Sequence, residues 1–128
     1  MREKIRTFDY AVIRVVPRVE REEFFNVGVI LSCPSQKFLE ARIELNIEKL
    51  KCFAPQVEVD AIRSYLDIIP KICAGEIGAG IIGQMSQRER FYWLTAQRST
   101  IIQSSPVHTG LCADANETLE HLLDKMVR

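Results

Sequence analysis

From Phe8 to Leu45 the chain runs as three alternating segments whose connections are too short for a parallel crossover, and this limits the fold more than any other feature. "FDYAVIRVV", Phe8–Val16, is rich in β-branched and aromatic residues and stops at Pro17, as a strand does. Period-two alternation places Phe8, Tyr10, Val12, Arg14 and Val16 on one face and Ala11, Ile13 and Val15 on the other. The charged "RVEREEFF" suits one helical turn, after which "NVGVILSC" predicts a second strand from Asn26 to Cys33. Gly28 inside that strand predicts a bulge or the close approach of another backbone. "PSQK" is turn chemistry, and "FLEARIEL" then alternates Phe38, Glu40, Arg42 and Glu44 against Leu39, Ala41, Ile43 and Leu45. An antiparallel meander is the natural product.

The middle of the chain changes period. "NIEKLKCF" predicts a short helix capped by Asn46 and stopping before Pro55. Val59, Ile62, Leu66, Ile69 and Cys73 recur at the spacing of one helix face, with Asp60 as the expected N-cap. Pro70 removes a backbone donor, so a kink or an end is expected near Ile69. Ser86 with Glu89 and Asp114 with Glu117 are capping-box pairs opening two further helices. The second of these carries the apolar stripe Leu119, Leu122, Leu123, Met126 and Val127, a docked C-terminal helix. Between them "STIIQSS" reads as a fourth strand and "PVHTGL" as a loop. The fold class is therefore α+β: an antiparallel sheet of three to four strands packed with several helices, in one domain spanning 1–128.

Composition excludes several function classes. Seventeen basic residues balance 17 acidic ones, so no net field steers the chain onto nucleic acid or an anionic membrane. The start, "MREKIRTFDY", lacks the apolar core of a secretory leader, and the greasiest later stretch is interrupted by Asp67, Pro70, Lys71 and Glu76. A cytoplasmic location is expected. Cys33, Cys52, Cys73 and Cys112 are scattered without a C-x-x-C pair, and read as reduced, mostly buried thiols. No cofactor or metal is expected from this pattern.

"GAGIIG", Gly78–Gly83, spells the G-x-G-x-x-G fingerprint of dinucleotide binding. That motif works only when a buried strand feeds its glycines into a helix N-terminus, yet here "YLDIIPKICAGEI" precedes it, a helix and its exit. No acid stands near Gln103, where a ribose-binding carboxylate would fall. Helix termination and a flexible joint explain Gly75, Gly78, Gly80 and Gly83 better.

Two blocks are specific enough to carry a resemblance. "YAVIRVVPRVEREEFFNVGVILSCP" holds Glu23, Phe24, Asn26, Val27, Gly28 and Val29. "GIIGQMSQRERFYWLTAQRSTIIQSSPVHTGL" holds Trp93-Leu94-Thr95-Ala96, Arg98-Ser99-Thr100 and Pro106-Val107-His108-Thr109-Gly110. Together these resemble DUF3037, an uncharacterised bacterial family, with Gln97 where members often have proline. The resemblance implies no activity. It suggests that members often sit beside genes for HipA-like kinases, which makes a protein partner, with a HipA-like kinase as the candidate, an expectation.

The candidate binding residues are Glu23, Asn26, Trp93, Arg98, Ser99, Thr100, His108 and Thr109. Arg98 with hydroxyls and an imidazole suits a phosphate or carboxylate, because a guanidinium offers paired charge-assisted hydrogen bonds. The alternative is structural: Ser and Thr side chains satisfy turn backbone, and Arg98 pairs with an acid such as Glu23. Arg14 is likewise an edge charge or a partner of Glu23, and Asn26 suits a cap or turn better than a ligand. Phe91, Tyr92 and Trp93 cannot all face one core from a helix, so one or two should be exposed, as anchors of protein contacts often are. His108 could be assembled with Ser99, Ser105 or Cys112 as a nucleophile pair, but no local motif supports it. His121 belongs to a solvated helix face with Glu117 and Lys125. The expected function is a non-catalytic interaction module; the alternative is a small anion or nucleotide-phosphate binder using the Arg98–His108 segment.

Overall fold

The computed structural model describes residues 4–128. The reading that no leader precedes the first strand rests partly on residues 1–3, which lie outside the described residues. Ten elements follow in order: β1 (Arg6–Val15), β2 (Phe25–Cys33), β3 (Phe38–Ile43), α1 (Ile47–Phe53), α2 (Val59–Ala74), the single turn α3 (Gly80–Gly83), α4 (Gln87–Thr95), β4 (Ile102–Ser104), β5 (His108–Cys112) and α5 (Ala115–Met126). Tight helical turns at Val19–Arg21 and Pro34–Gln36 join the first three strands. All pairings are antiparallel, in the order β3-β2-β1, with β4 and β5 sharing the far side of β1. The fold is α+β, with five strands filling four positions.

Both readings of Gly28 hold. The β1–β2 register passes from Ile13↔Gly28 to Arg14↔Asn26, so Val27 bulges, and its carbonyl accepts from Glu44 N at 2.7 Å. A Cβ on Gly28 would stand 2.6 Å from the Arg42 carbonyl oxygen. The bulge also changes the phase of β2. Phe25 and Val27 join one core with Ala11, Ile13 and Val15, whereas Val29, Leu31 and Cys33 join the opposite one with Phe8. Leu50, Ile62, Leu66, Ile69, Cys73 and Phe91 cover the first face, and α5 covers the second with Leu119, Leu122 and Leu123. Two helical layers thus sandwich the sheet.

Three caps form as the sequence predicts: Asn46, Ser86 and Asp114 accept from the amides of Lys49, Glu89 and Glu117. Three expectations are corrected. Asp60 is not the N-cap of α2; Glu58 occupies that position and Asp60 lies in the first turn. The helix does not end near Ile69 but runs through Pro70 to Ala74. Pro70 itself is exposed, while Ile69, Ile72 and Cys73 are buried on either side of it. An interior proline costs about 3 kcal/mol, and burying large aliphatic side chains at roughly 1.5–3 kcal/mol each outweighs that. Finally, "PVHTGL" is not a loop: His108–Cys112 form β5, because the open side of β1 offers Arg6–Tyr10 as a ladder.

β4 and β5 are one interrupted edge strand. Ser105, only 2% exposed, bridges the interruption: its amide donates to Val12 O at 2.8 Å and its hydroxyl accepts from Val12 N at 2.8 Å. The hydroxyl proton goes to Pro106 O, 2.9 Å away. Ser105 replaces a missing carbonyl of the ladder.

The glycine string follows a helix. Gly75, at φ 69°, ends α2 with its own amide on Ile72 O and that of Glu76 on Lys71 O, at 3.0 and 3.2 Å. Arg90 reaches across from α4 and donates to the same terminus, to Ile72 O at 3.0 Å and to Cys73 O. No parallel strand feeds Gly78–Gly83 among the described residues, so a pyrophosphate has no aimed helix N-terminus there.

Candidate binding cleft

A cleft of about 400 Å³ opens on the α2–α4 side of the sheet. Ile13 and Ile30 form its floor, Tyr65, Ile68 and Ile69 of α2 one wall, and Trp93 and Leu94 of α4 another. The connection from Arg98 through β4 closes it with Ile101 and Ile102. The lining is apolar because α2 carries more apolar residues than its buried stripe needs. Ile62, Leu66, Ile69 and Cys73 pack on the sheet, while Tyr65 and Ile68 sit beside that stripe and stay 56% and 37% exposed. On α4, Phe91 is buried, but Tyr92 and Trp93 are exposed, as their succession in one helix requires.

Arg98 sits at the mouth. Its guanidinium stacks on the Trp93 ring, 4.3 Å from the centroid, and one of its nitrogens donates to Trp93 O. Such stacking contributes roughly 0.5–2 kcal/mol. It holds the guanidinium over the ring, and among the described residues its other N–H groups make no hydrogen bond. Among the described residues no carboxylate pairs with Arg98. The expected Arg98–Glu23 pair is absent: Glu23 pairs with Arg21 at the β1–β2 connection, and Arg14 stacks over Phe24 at 4.1 Å instead of meeting Glu23.

Of the eight candidate residues, the fold gathers Trp93, Arg98 and Thr100 at the cleft. The Thr100 hydroxyl is engaged by Ile102 O at 2.7 Å, and Gln103 donates to Thr100 O at 2.9 Å, as turn-satisfying side chains do. Ser99 is exposed beside them. His108 lies elsewhere, its ring tilted against Tyr10 with centroids 5.3 Å apart on the α5 side of the sheet. Thr109 donates to Asp9 across the β1–β5 ladder at 2.6 Å. Asn26, expected as a cap or turn residue leading into the second strand, lies within β2 instead and uses its side-chain amide to hold Met126 O at the end of α5, at 3.0 Å. Arg98 and His108 therefore face opposite sides of the sheet. Tyr65 and Ile68, the residues missed, carried one legible signal: apolar side chains one position off the buried face of an amphipathic helix.

Among the described residues no three His, Cys, Asp or Glu side chains come together as a metal site would need. No helix there is long and apolar enough to cross a membrane. Cys33, Cys73 and Cys112 are buried and Cys52 is exposed, all as free thiols. Burial pushes the Cys73 thiol up to about 12, far from the range of a nucleophile.

A model of a family described as proteins of unknown function, DUF3037, matches residues 10–127. The chain belongs to DUF3037. No curated protein and no solved structure matches it. In this DUF3037 chain the blocks that carry the resemblance have visible physical work. Asn26-Val27-Gly28-Val29 builds the bulge of β2 and holds the end of α5. Pro106 to Gly110 turns the edge strand into β5, and Thr95 closes on Phe91 O at 2.8 Å inside α4. Trp93 and Arg98 differ from these: both present exposed or half-exposed surface to the cleft.

Proposed function

We propose that this chain is a non-catalytic interaction module. Its cleft takes an apolar side chain and a neighbouring carboxylate from a protein partner, with a HipA-like kinase as the candidate. One observation carries the reading: a guanidinium held over an exposed tryptophan ring, without an acidic partner among the described residues, at the mouth of an apolar cleft. A large apolar pocket with a few fixed polar groups is the usual form of a binding site, and Trp and Arg are the residues on which interface energy concentrates. A non-catalytic role accords with the hydroxyls of Thr100 and Ser105 being engaged by backbone and with His108 standing on the other face. The exposed free thiol of Cys52 is in keeping with a reducing cytoplasm.

A small anion or nucleotide phosphate on Arg98, Ser99, Thr100 and His108 draws less support, since those side chains do not converge. Calorimetric titration of a purified HipA-like kinase tests the first reading. Wild type should bind, and Arg98→Gln and Trp93→Ala should weaken binding roughly tenfold or more with unchanged melting. Equal affinity for all three contradicts the cleft, and no binding removes the kinase. A thermal-shift screen of nucleotides and phosphorylated metabolites tests the second, because a ligand at a hundredfold its Kd adds about 2.7 kcal/mol.

A further inference from the structure

The two open edges of the sheet are built differently. β3 carries Glu40 and Arg42, with Lys37 and Glu44 at its ends, charges of the kind that discourage strand addition. The β4–β5 edge carries none: from Ile101 to Ala113 there is no Asp, Glu, Lys or Arg. Within it Val107 and Leu111 are 43% and 71% exposed, and Ile5, just before β1, is 61% exposed. An uncharged, exposed strand edge with apolar side chains invites another strand.

The backbone shows which groups are available. Val12 and Val16 direct their amides toward the β4–β5 side, so alternation along β1 turns Tyr10, Phe8 and Arg6 the same way. Their ladder partners are His108, Gly110 and Cys112. Thr109 and Leu111 therefore point their N–H and C=O groups outward, and among the described residues β5 pairs with β1 alone.

We infer that this edge pairs with the same edge of a second copy of the chain, β5 against β5, antiparallel about a two-fold axis at Gly110. The stretch is self-complementary. Val107–Ala113 is centred on Gly110, and Pro106 and Asp114 bound it symmetrically. With Gly110 on the axis, Thr109 of each chain meets Leu111 of the other, and both pairs exchange the outward hydrogen bonds. The two Gly110 residues then form the non-hydrogen-bonded pair, where Cα atoms approach to roughly 4.5 Å. Gly110 is already required within the chain, since a Cβ there would stand 2.7 Å from Phe8 Cζ; its lack of a side chain also clears the closest approach across the axis. The two Leu111 side chains become diagonal neighbours on one face and lose their exposure. Equal numbers of basic and acidic residues impose no net repulsion between copies. The two-fold, isologous contact is the commonest route to a homodimer.

Sedimentation velocity on the full chain, from micromolar to submillimolar concentration, tests this, together with hydrogen exchange. The expected result is a monomer–dimer equilibrium in which the Thr109 and Leu111 amides gain protection as concentration rises. Leu111→Lys, at an exposed position, should leave circular dichroism and melting unchanged and raise the dimer Kd roughly tenfold or more. A chain that stays monomeric throughout overturns the inference. So does a dimer that Leu111→Lys leaves intact, or one that forms without protecting those two amides.

Discussion

Ser105→Ala is the sharpest stability test of the way the edge strand is joined. Ser105 is buried, and its hydroxyl both accepts from Val12 N at 2.8 Å and donates to Pro106 O at 2.9 Å. Alanine fits the space but leaves a buried backbone donor without a partner. Such an orphan costs about 1–3 kcal/mol, whereas removal of an exposed hydroxyl falls within about 0.5 kcal/mol. For a chain of this size each kcal/mol moves Tm by about 3–5 °C. Urea unfolding at constant m-value, paired with a thermal scan, reads the effect, and exposed Ser99→Ala serves as the control. The expected order is Ser105→Ala clearly destabilised and Ser99→Ala indistinguishable from wild type. If the two variants unfold together, Ser105 does not complete the ladder, and the account of β4 and β5 as one strand fails.

Three further outcomes are expected. Gly28→Ala, which sets a methyl 2.6 Å from the Arg42 carbonyl, should destabilise by about 1–3 kcal/mol or more, measured by the same denaturant series. Of the four thiols only Cys52 should react promptly with a maleimide in the native state; Cys73, buried and pushed up to about 12, should label only on unfolding, as mass spectrometry of labelled peptides would reveal. Hydrogen bonds from Arg128 hold the Glu44 carboxyl below its ordinary range. A lowered carboxylate pKa contributes stability that is complete above the ordinary carboxylate range and lost as pH falls through the lowered value. The stability gap between wild type and Arg128→Gln should accordingly close on acidification, and a gap independent of pH would refute the pairing.

The parts of the fold that follow local rules were legible before any coordinates. Alternation in Phe8–Val16 and Phe38–Leu45 assigned faces correctly, because each strand is buried on at least one side and the period of two is physical. Asn46, Ser86 and Asp114 read correctly because a cap needs only its own turn. Pro70 misled because its penalty is local while the burial that outweighs it comes from the sheet below. "PVHTGL" misled for the converse reason: proline, glycine and polar side chains suggest a loop, and only the open side of β1 makes it a strand. The candidate site divided in the same way. Trp93 and Arg98 are five residues apart and already form a local pair, whereas the far wall from Tyr65 and Ile68 and the removal of His108 to the other face depend on long-range packing.

Trp93 is the single tryptophan of the chain, so its emission reports on the cleft without a label. The direct measurement is a fluorescence titration with a short acetylated peptide ending in phenylalanine, as the free carboxylate and as the amide. A saturable change with the carboxylate, weaker with the amide and with that difference abolished in Arg98→Gln, is what an apolar cleft with the Arg98 guanidinium at its mouth predicts. Identical flat responses to both peptides at millimolar concentration, or a carboxylate preference that survives in Arg98→Gln, would contradict it.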